Sequence, residues 1–357
     1  MAKDTVIHVP PQWPDTKECK IAFIGEAPSD EELDNGAPLV GPSGRVFNAM
    51  LRTADLERSH YFVGNVFDEK LPDNKIDTWC ADVATARAGG FADIPPIRGA
   101  GFLKPEHRWH LDRLTDELKR ANPTLIVPLG GTALWAFTGN SDIGSYRGAV
   151  VEATRIVPGA KLLPTFHPAA VIKDWAMFHI VAGDFMKAFA EAERGPQVVW
   201  PERRLVLAPQ LKDIHAFTPL VEASELLSID IETGWGQITE IGFAPDNTNA
   251  ICIPFADKSK PSKSYWGSAE AETEAWMVVR DWLASPVPKL GQNFGSYDLY
   301  WLYKRYHLRV NNFRHDTRLL HHALYPELPK DLGFMGASYS QQGAWKTMRN
   351  TTTKRDD

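Results

Sequence analysis

Short apolar runs alternate with segments of helical periodicity through the first half of the chain. This alternation constrains the fold most strongly, because strands separated by helices pair in parallel through crossover connections. Helical spacing is clear in residues 105–121, where Leu111, Leu114 and Leu118 recur, and again in residues 175–192. The sequence therefore predicts an α/β fold, a three-layer α/β/α domain with a parallel four-stranded sheet. Its strands are expected at residues 21–24, 61–66, 124–129 and 161–166.

The second half of the chain has a different pattern. Strand-like runs at residues 226–231, 237–244 and 250–254 are joined by Gly, Asp and Asn turn residues, which indicates a β-meander. A helix is expected from about Glu270 to Leu283, and then a short strand that opens into a second helix. This order predicts a mixed-sheet α/β domain.

A linker is expected between the two halves. Gly195-Pro196, Trp200-Pro201 and the charged run Glu202-Arg203-Arg204 interrupt any periodic pattern there. The 357 residues suit two domains of ordinary size, each with its own core. We predict a first domain over residues 1–195, a linker over 196–209 and a second domain over 210–357.

Charge and cysteine content narrow the functional classes. The net charge of −6 argues against a broadly basic nucleic-acid surface, so contact with DNA would depend on local lysine and arginine clusters. The three cysteines are far apart and lack Cys-x-x-Cys spacing, which indicates neither a disulfide framework nor a cysteine-only metal cluster. The start is polar, and no apolar run reaches transmembrane length. We expect a cytoplasmic protein without a membrane partner. The basic clusters are Lys70/Lys75, Lys258/Lys260/Lys263 and Lys346/Arg349/Lys354/Arg355.

Polar residues follow three of the predicted strands. The first strand runs into Gly25-Glu26-Ala27-Pro28 and a glycine-rich loop over residues 36–44, the second ends at Asn65, and the fourth ends at His167-Pro168. Ligands of parallel α/β folds bind at the edge where these strands end. Glycines let the backbone approach a ligand, and a following helix N-terminus favours an anion such as phosphate. Taken singly, each residue also fits an ordinary turn.

Together these motifs resemble the uracil-DNA glycosylase superfamily, especially its microbial and phage type. The similarity covers residues 18–192 and includes the loop Pro38-Leu39-Val40-Gly41 and the strand segment Asn122 to Gly130. The resemblance implies catalytic roles for Glu26, which would position or activate water, and His167, which would stabilise the departing uracil. It implies that the amide of Asn65 reads the edge of uracil. Further substrate-binding positions would be Gly25, Leu39, Gly41 and Pro168.

Two departures from the family pattern concern the base pocket and a cofactor. Leu39 replaces an aromatic residue on which the base would stack, and base-to-aromatic stacking is worth about 1–3 kcal/mol. Phe47 or Phe67 could substitute for that ring. One branch of the family carries an iron–sulfur site with four cysteines, which a chain with three cannot build. No cofactor is expected for this domain.

In the second half, Asp230-Ile231-Glu232 follows an apolar run that reads as a buried strand. Side chains two apart on a strand share a face, so the carboxylates of Asp230 and Glu232 would repel each other. Divalent cations would relieve this repulsion, and Mg²⁺ or Mn²⁺ suits such oxygen ligands. The alternative is an exposed acidic strand edge.

The second half resembles the proofreading 3′→5′ exonuclease domain of bacterial and phage family A DNA polymerases, a ribonuclease H-like fold. Asp-Ile-Glu matches its first motif, and the run from Gly291-Gln292-Asn293 to Tyr297-Asp298 matches its second. The resemblance implies that Asp230, Glu232 and Asp298 are catalytic and bind metal, and that Asn293 and Tyr297 bind substrate. It gives Asp316 a structural place.

The fourth carboxylate of that family, in a late Tyr-x-x-x-Asp or His-x-x-x-Asp, has no counterpart here. The sequence therefore predicts an exonuclease-like domain that is incomplete at its C-terminus. Either the gene is split or truncated, or a partner chain or polymerase completes the domain. Two functions remain open. One is a phage-type DNA repair and replication enzyme that excises uracil, or another damaged base, and carries an exonuclease domain. The other is a noncatalytic DNA-binding or assembly front end of a split phage polymerase.

Overall fold

The computed structural model describes residues 7–200 and 202–340. The described residues form two compact units: one runs to Val199 and also takes in residues from Gly333 onward, and the other is Trp200–Leu332. The helix that crosses Gly333 therefore groups mainly with the first unit. The predicted domain boundaries stay a prediction, and the basic cluster Lys346/Arg349/Lys354/Arg355 lies outside the described residues, as does Pro201 of the predicted linker.

The first unit is built on a five-stranded sheet. Its strands are β1 (Ile21–Gly25), β2 (Phe62–Asn65), β5 (Leu125–Pro128), β6 (Val151–Glu152) and β7 (Lys161–Leu162). Two further strands, β3 (Cys80–Ala81) and β4 (Phe102–Leu103), pair with each other in a separate sheet. The order in the sheet is β2-β1-β5-β7-β6. The first four of these strands are parallel, and β6 pairs antiparallel with β7 at the edge. The predicted sheet of four parallel strands is confirmed, with one short edge strand added.

Apolar side chains on both faces of β1 explain the three layers. Ala22 and Ile24 belong to one buried cluster, whereas Ile21 and Phe23 belong to another, because successive strand residues point to opposite faces. Leu114 of the helical segment predicted over 105–121 packs in the first cluster. The helices are α1 (Asp30–Asn35), α2 (Pro42–Thr53), α3 (Val83–Ala88), α4 (Trp109–Ala121), α5 (Gly131–Thr138), α6 (Ile143–Tyr146), α7 (Pro168–Lys173) and α8 (Met177–Ala192). Short 3-10 turns are Arg58–His60, Pro72–Asn74, Ile76–Trp79 and Pro105–His107.

The second unit contains one six-stranded sheet. Its strands are β8 (Arg204–Val206), β9 (Leu227–Gly234), β10 (Gln237–Ala244), β11 (Asn249–Pro254), β12 (Lys289–Gly291) and β13 (Phe313–Asp316). The order is β13-β12-β9-β10-β11-β8, in which β9 to β11 form the antiparallel meander and β12 and β13 run parallel to β9. The predicted mixed sheet is confirmed, and the order of β9 to β13 is that of a ribonuclease H-like fold.

The sheet of the second unit is covered by helices whose apolar residues form its core. Phe217, Val279 and Trp282 are buried together with Ile229 and Ile231 of β9. The strand β8 lies within the segment predicted as a linker, and it pairs parallel with β11. The helices of the second unit are α9 (Leu211–Glu222), α10 (Ala269–Ala284), α11 (Asp298–Tyr306) and α12 (Thr317–Leu324), whereas α13 (Leu332–Tyr339) groups mainly with the first unit. Among the described residues, no helix is long and apolar enough to span a membrane.

Candidate active sites

In the first unit, the side chains of Asn65 and His167 approach one point above Gly25. Gly25 and Asn65 are paired in register where β1 and β2 end. A Cβ atom on Gly25 would lie 2.4 Å from Oδ1 of Asn65 and 3.6 Å from Nε2 of His167. Only glycine leaves room for both polar groups. The structure thus brings together Gly25, Asn65 and His167, three of the residues predicted for the glycosylase-like site.

The environment of His167 fixes both its charge and its tautomer. The backbone N–H of Ala169 donates a hydrogen bond to Nδ1 over 3.1 Å, so the ring proton of the neutral form lies on Nε2. Burial lowers the pKa of His167 to about 4, although the residue keeps some exposure toward the cleft. At neutral pH, His167 is therefore an uncharged donor whose Nε2–H faces the point above Gly25.

The turn that carries His167 depends on a glycine. Gly130 has a φ of +91°, and a Cβ there would lie 3.2 Å from Cβ of His167. The Gly130 N–H also donates to the carbonyl oxygen of Thr165 over 2.8 Å, which ties the end of β5 to the segment leading to His167. Pro168 is buried at the first position of α7, where its fixed φ suits a helix start. This close packing holds His167 in place.

Glu26 follows Gly25 in the chain, and its side chain accepts a hydrogen bond. The hydroxyl of Thr132, in the first turn of α5, donates a hydrogen bond to Oε2 of Glu26. Burial raises the pKa of the Glu26 carboxyl above its usual value, and the hydrogen bond from Thr132 opposes that rise. Glu26 thus retains the character of a base while its partly buried carboxylate is held in one orientation.

The glycine-rich loop is fixed by two charged side chains. Arg58 donates to the carbonyl oxygens of Pro38 and Leu39, each over 2.6 Å, and a carboxylate oxygen of Glu32 accepts the N–H of Leu39. Leu39 has a φ of +51°, an uncommon conformation for a leucine. The loop is therefore rigidly held by its backbone contacts.

Leu39 and the two rings that could substitute for the missing aromatic residue are buried. Leu39 is 2% exposed and packs in the cluster that contains Phe47, and both Phe47 and Phe67 are fully buried. Phe67 packs edge-on against Trp79 in the other cluster. Gly41 precedes α2 as its N-cap, at the end of the loop. In this conformation none of the three side chains presents an open stacking face.

Three residues of this site were missed by reasoning from sequence: Thr132, Arg58 and Arg113. Arg113 donates to the carbonyl oxygens of Asn65 and Val66, over 2.9 and 3.0 Å, and so positions the strand end that carries Asn65. Thr132 follows β5 at the same sheet edge, so the rule that identified Asn65 could have found it. No local pattern predicts that Arg58 and Arg113 act in this site, because the backbone oxygens that they bind here are distant in sequence.

The cysteines do not fit an iron–sulfur site. Cys19 and Cys80 are buried in the apolar core of the first unit, whereas Cys252 lies in the second unit. Burial raises the pKa of both core thiols, that of Cys80 to about 11, which disfavours the thiolate that a metal needs. No chemistry is assigned to such a cluster here.

In the second unit, Asp230 and Glu232 lie on the exposed face of β9. The strand was predicted to be buried, and the structure buries one face of it: Ile229 and Ile231 point into the core, and the two carboxylates alternate with them toward solvent. An antiparallel meander covers only one face of its strands, which permits this arrangement. The two carboxylates do share a face, as their spacing predicts.

Asp298 lies next to this pair at the start of α11. It is buried, and its Oδ1 accepts the N–H of Ile231 over 3.0 Å. Burial raises the pKa of Asp298 to about 7, the Ile231 N–H opposes the rise, and the nearby charges of Asp230 and Asp316 add to it. The electrostatic interaction with Asp230 shows that these carboxylates influence each other.

A further carboxylate, Glu240, shares the face of Glu232. The two residues are directly paired between β9 and β10, beyond a register shift between Ile238 and Glu240. The thiol of Cys252 lies 3.6 Å from Oε2 of Glu240, and burial together with these acids raises the pKa of the thiol to about 12. The bulge that sets this pairing leaves no clear mark in the sequence, and Glu240 was missed for that reason.

Of the remaining predicted residues of the second unit, Asn293 contacts Asp316 and Tyr297 contacts β9. One carboxylate oxygen of Asp316 accepts the N–H groups of Asn293 and Arg318, each over 3.0 Å, so Asp316 joins the β12 loop to α12. This contact agrees with the structural place expected for Asp316. Asn293 has a φ of +58° and accepts from Arg318, while the exposed Tyr297 contacts the hydroxyl of Thr233.

Comparison with known families identifies the first unit. The family model described as the uracil DNA glycosylase superfamily matches residues 11–192, half of the chain. The chain belongs to the uracil DNA glycosylase superfamily. The resemblance inferred from the sequence motifs is confirmed.

Two relatives in the same family carry a more specific description. A protein described as type-4 uracil-DNA glycosylase from Thermotoga maritima is 27% identical over 175 residues, which cover 48% of this chain and 77% of that protein. A type-4 uracil-DNA glycosylase from Archaeoglobus fulgidus is 26% identical over 176 residues, 48% of this chain and 76% of that protein.

Among solved structures, exonuclease domains show similarity at low scores. An EXD2 exonuclease domain soaked in Mn and Mg has 19% identity and a TM-score of 0.26, over 34% of this chain and 57% of that one, so less than two thirds of its length is covered. The EXO domain of Aedes aegypti Nibbler has 13% identity and a TM-score of 0.32, over 45% of this chain and 79% of that one. The chemistry of the second unit must therefore be argued from its own residues.

Proposed function

We propose that the first unit hydrolyses the N-glycosidic bond of deoxyuridine in DNA. The observation that carries this proposal is the convergence of Asn65 and His167 above Gly25, with the His167 proton on Nε2. An amide and a neutral imidazole donor can together bind a pyrimidine edge through acceptor and donor positions. No metal or cofactor is required for this chemistry.

The chain's residues divide the reaction between them. A flipped or single-stranded uracil would place its O4 and N3–H against the amide of Asn65, which the amine of cytosine cannot match. The bond between C1′ and N1 breaks, and its electron pair leaves with uracil as an anion that the Nε2–H of His167 stabilises at O2. Water then bonds to C1′ and gives its proton to Glu26 or solvent. The products are free uracil and an abasic site.

A uracil-excision assay tests this proposal. A labelled single-stranded oligonucleotide with one uracil would be incubated with the full chain in EDTA, and strand cleavage would be scored after alkali treatment of abasic sites. We expect excision by the wild type and a loss of about 10²–10³-fold in His167→Ala, the cost of one stabilising donor. His179→Ala, an exposed histidine on α8, is the matched control and should retain wild-type activity.

The outcome separates the enzyme from a noncatalytic module. DNA binding without excision by the wild type would exclude the glycosylase and favour the binding or assembly function. Excision unchanged in His167→Ala would remove His167 from the mechanism.

For the second unit, we propose a metal-dependent 3′→5′ exonuclease activity. Asp230 and Glu232 share an exposed face, and the charge of Asp230 acts electrostatically on the carboxyl group of Asp298. These oxygen donors suit Mg²⁺ or Mn²⁺, which when bound would supply a hydroxide and neutralise charge on a scissile phosphate. Asp298 supports this assignment most directly, because a nearby cation would stabilise the ionised form of a buried carboxylate whose pKa is raised.

The test uses an oligonucleotide without uracil. Shortening from the 3′ end should require Mn²⁺ or Mg²⁺ and be lost in Asp230→Asn, while Asp281→Asn, on the exposed surface of α10, should keep it. Metal-independent shortening, or shortening retained in Asp230→Asn, would contradict the proposal. We further propose, from the sequence motifs, a phage-type role in DNA repair and replication linked to a family A polymerase, in the bacterial cytoplasm.

A further inference from the structure

Three side chains that were not assigned to the glycosylase-like site form a cluster in the first unit: His8, Asp68 and Glu69. His8 precedes the sheet, and Asp68 and Glu69 follow Asn65 on the segment after β2. Their ligand atoms all lie within 4.8 Å of one another. Within residues 7–200 and 202–340, this is the one group of three or more histidine, cysteine or acidic side chains brought so close.

The distances suit ligands around one cation. Nδ1 of His8 lies 3.2 Å from Oδ2 of Asp68 and 3.7 Å from Oε1 of Glu69. Ligand atoms about 2.1 Å from a tetrahedral metal ion are separated by about 3.4 Å, between the two observed values. One imidazole nitrogen and two carboxylate oxygens form a donor set that favours a zinc-class divalent ion over Ca²⁺.

The buried side chain of His110 lies behind the Asp68 carboxylate of this cluster. Asp68 is 8% exposed, and its Oδ1 lies 2.9 Å from Nδ1 of the fully buried His110. Neither of these atoms forms a well-aligned hydrogen bond within the described part of the chain. The His110 ring is fixed by stacking against Trp79 and Trp109. Oδ1 of Asp68 thus faces a buried imidazole, the kind of group that commonly lies behind a metal-binding carboxylate, while Oδ2 is directed to His8.

Arg113 weakens the attraction of Asp68 for a cation but does not prevent His8, Asp68 and Glu69 from binding one. Its Nε lies 3.6 Å from Oδ2 of Asp68, while its Nη1 pairs with Glu117 over 2.6 Å. The guanidinium is therefore committed mainly to Glu117 and to the carbonyl oxygens behind Asn65. It offsets part of the charge of Asp68, and Glu69 and His8 stay accessible to a cation.

We propose that His8, Asp68 and Glu69 bind one divalent transition-metal ion of the zinc class. The Val9 N–H donates to the carbonyl oxygen of Asp68 over 2.8 Å, so the ion would join the segment around His8 to the segment that follows Asn65. Its role is structural: it fastens the chain beside the strand that carries the uracil-reading amide. Neither the glycosylase nor the exonuclease chemistry proposed above depends on it.

The experiment titrates CoCl₂ into the full chain carrying Asp230→Asn and Glu232→Gln, which together remove the carboxylate pair of the second unit. Cobalt(II) absorption reports ligand type, and competition with ZnCl₂ gives the affinity of zinc. We expect one saturable site, and a weakening of at least tenfold on adding His8→Ala or Glu69→Gln. Zinc should also raise the melting temperature, and this rise should vanish in both variants.

His215→Ala is the matched control. His215 pairs with Glu274 over 2.7 Å on the exposed surface of the second unit, and no third ligand joins this pair among the residues that the structure describes. Cobalt binding retained in His215→Ala and lost in His8→Ala supports the site. The proposal would be overturned by the absence of a saturable site, or by cobalt binding in His8→Ala and Glu69→Gln that is as tight as in the parent chain. It would also be overturned if His215→Ala lost as much cobalt affinity as His8→Ala. Each of these results would leave an ordinary ion pair at His8.

Discussion

The hydroxyl of Thr132 donates a hydrogen bond to the carboxylate of Glu26, joining the start of α5 to the end of β1. This contact bears on the ionisation of Glu26. Burial raises the pKa of Glu26, and the donor opposes that rise by stabilising the charged form. If Glu26 acts on water as a base, it must be ionised, so activity should fall as the pH drops through this raised pKa.

Thr132→Val should therefore move the acid limb of the excision profile to higher pH, because the carboxylate loses its donor. We expect the rate to fall most on the acid side of the profile, where the carboxylate of the variant is protonated and that of the wild type is not. Single-turnover rates between pH 4 and pH 9 would measure it. Thr138→Val, which removes a hydroxyl from the other end of the same helix, is the control. Identical profiles for the two variants would show that the Thr132 contact does not tune Glu26.

The buried state of His167 predicts a loss of stability in acid. Its pKa is about 4 in the folded protein, below the usual 6.5, so the unfolded chain binds more protons between these values. Stability should be intact above pH 6.5 and fall by about 2–3 kcal/mol as the pH drops toward 4. Denaturant unfolding at several pH values should show a smaller decline in His167→Gln than in wild type. His179→Gln should keep the wild-type decline; equal slopes in all three would contradict this explanation.

Asp298 predicts the opposite dependence on pH. Its folded-state pKa of about 7 exceeds the usual 3.8, so the folded chain binds more protons and loses stability as the pH rises from 3.8 through 7. Asp298→Asn should be more stable than wild type at pH 8, by about 2–4 kcal/mol, with no gain at pH 3.5. Thermal unfolding would measure this.

Added Mg²⁺ should narrow the difference at pH 8, since a bound cation stabilises the ionised form of Asp298 in wild type. Asp281→Asn supplies the exposed control. If wild type and Asp298→Asn are equally stable at pH 8 without metal, ionisation of the buried Asp298 carboxyl does not lower the stability of the fold.

Arg58 should be essential to the shape of the glycine-rich loop. It donates to the carbonyl oxygens of Pro38 and Leu39 and also to the side chains of Gln12 and Asn48. Arg58→Met keeps much of the apolar length but leaves buried acceptors unsatisfied, so we expect a loss of about 3 kcal/mol. Urea unfolding would measure the loss, and weaker binding of uracil-containing DNA should accompany it. Arg52→Met, on the exposed face of α2, should change neither quantity.

The sequence was sufficient for features that depend on periodicity and strand ends. Parallel strands follow from alternating strand and helix patterns, and the tips of such strands meet at one edge, which placed Asn65 near His167. The spacing of Asp230 and Glu232 likewise required a shared face. These relationships are local or follow from general rules of chain topology.

Other features depend on contacts between distant segments, which local patterns do not specify. The left-handed conformation of Leu39 is held by Arg58 and Glu32, and it leaves the side chain in the core. The pairing of Glu240 with Glu232 follows from a bulge in β10. The first unit also includes residues from Gly333 onward, where Lys187 donates to the carbonyl oxygen of Ala337 over 2.6 Å.

The most direct test of the glycosylase site compares uracil with cytosine at a single position in otherwise identical oligonucleotides. Single-turnover excision by the wild type in EDTA should be rapid for uracil and undetectable for cytosine, because the Asn65 amide matches only uracil. In Asn65→Ala the rate on uracil should fall by about 10²–10³-fold, whereas Asn35→Ala, an exposed residue of α1, should match wild type. Excision of uracil by Asn65→Ala at the wild-type rate would contradict the role of Asn65, and the absence of excision by the wild type would contradict the function proposed for this chain.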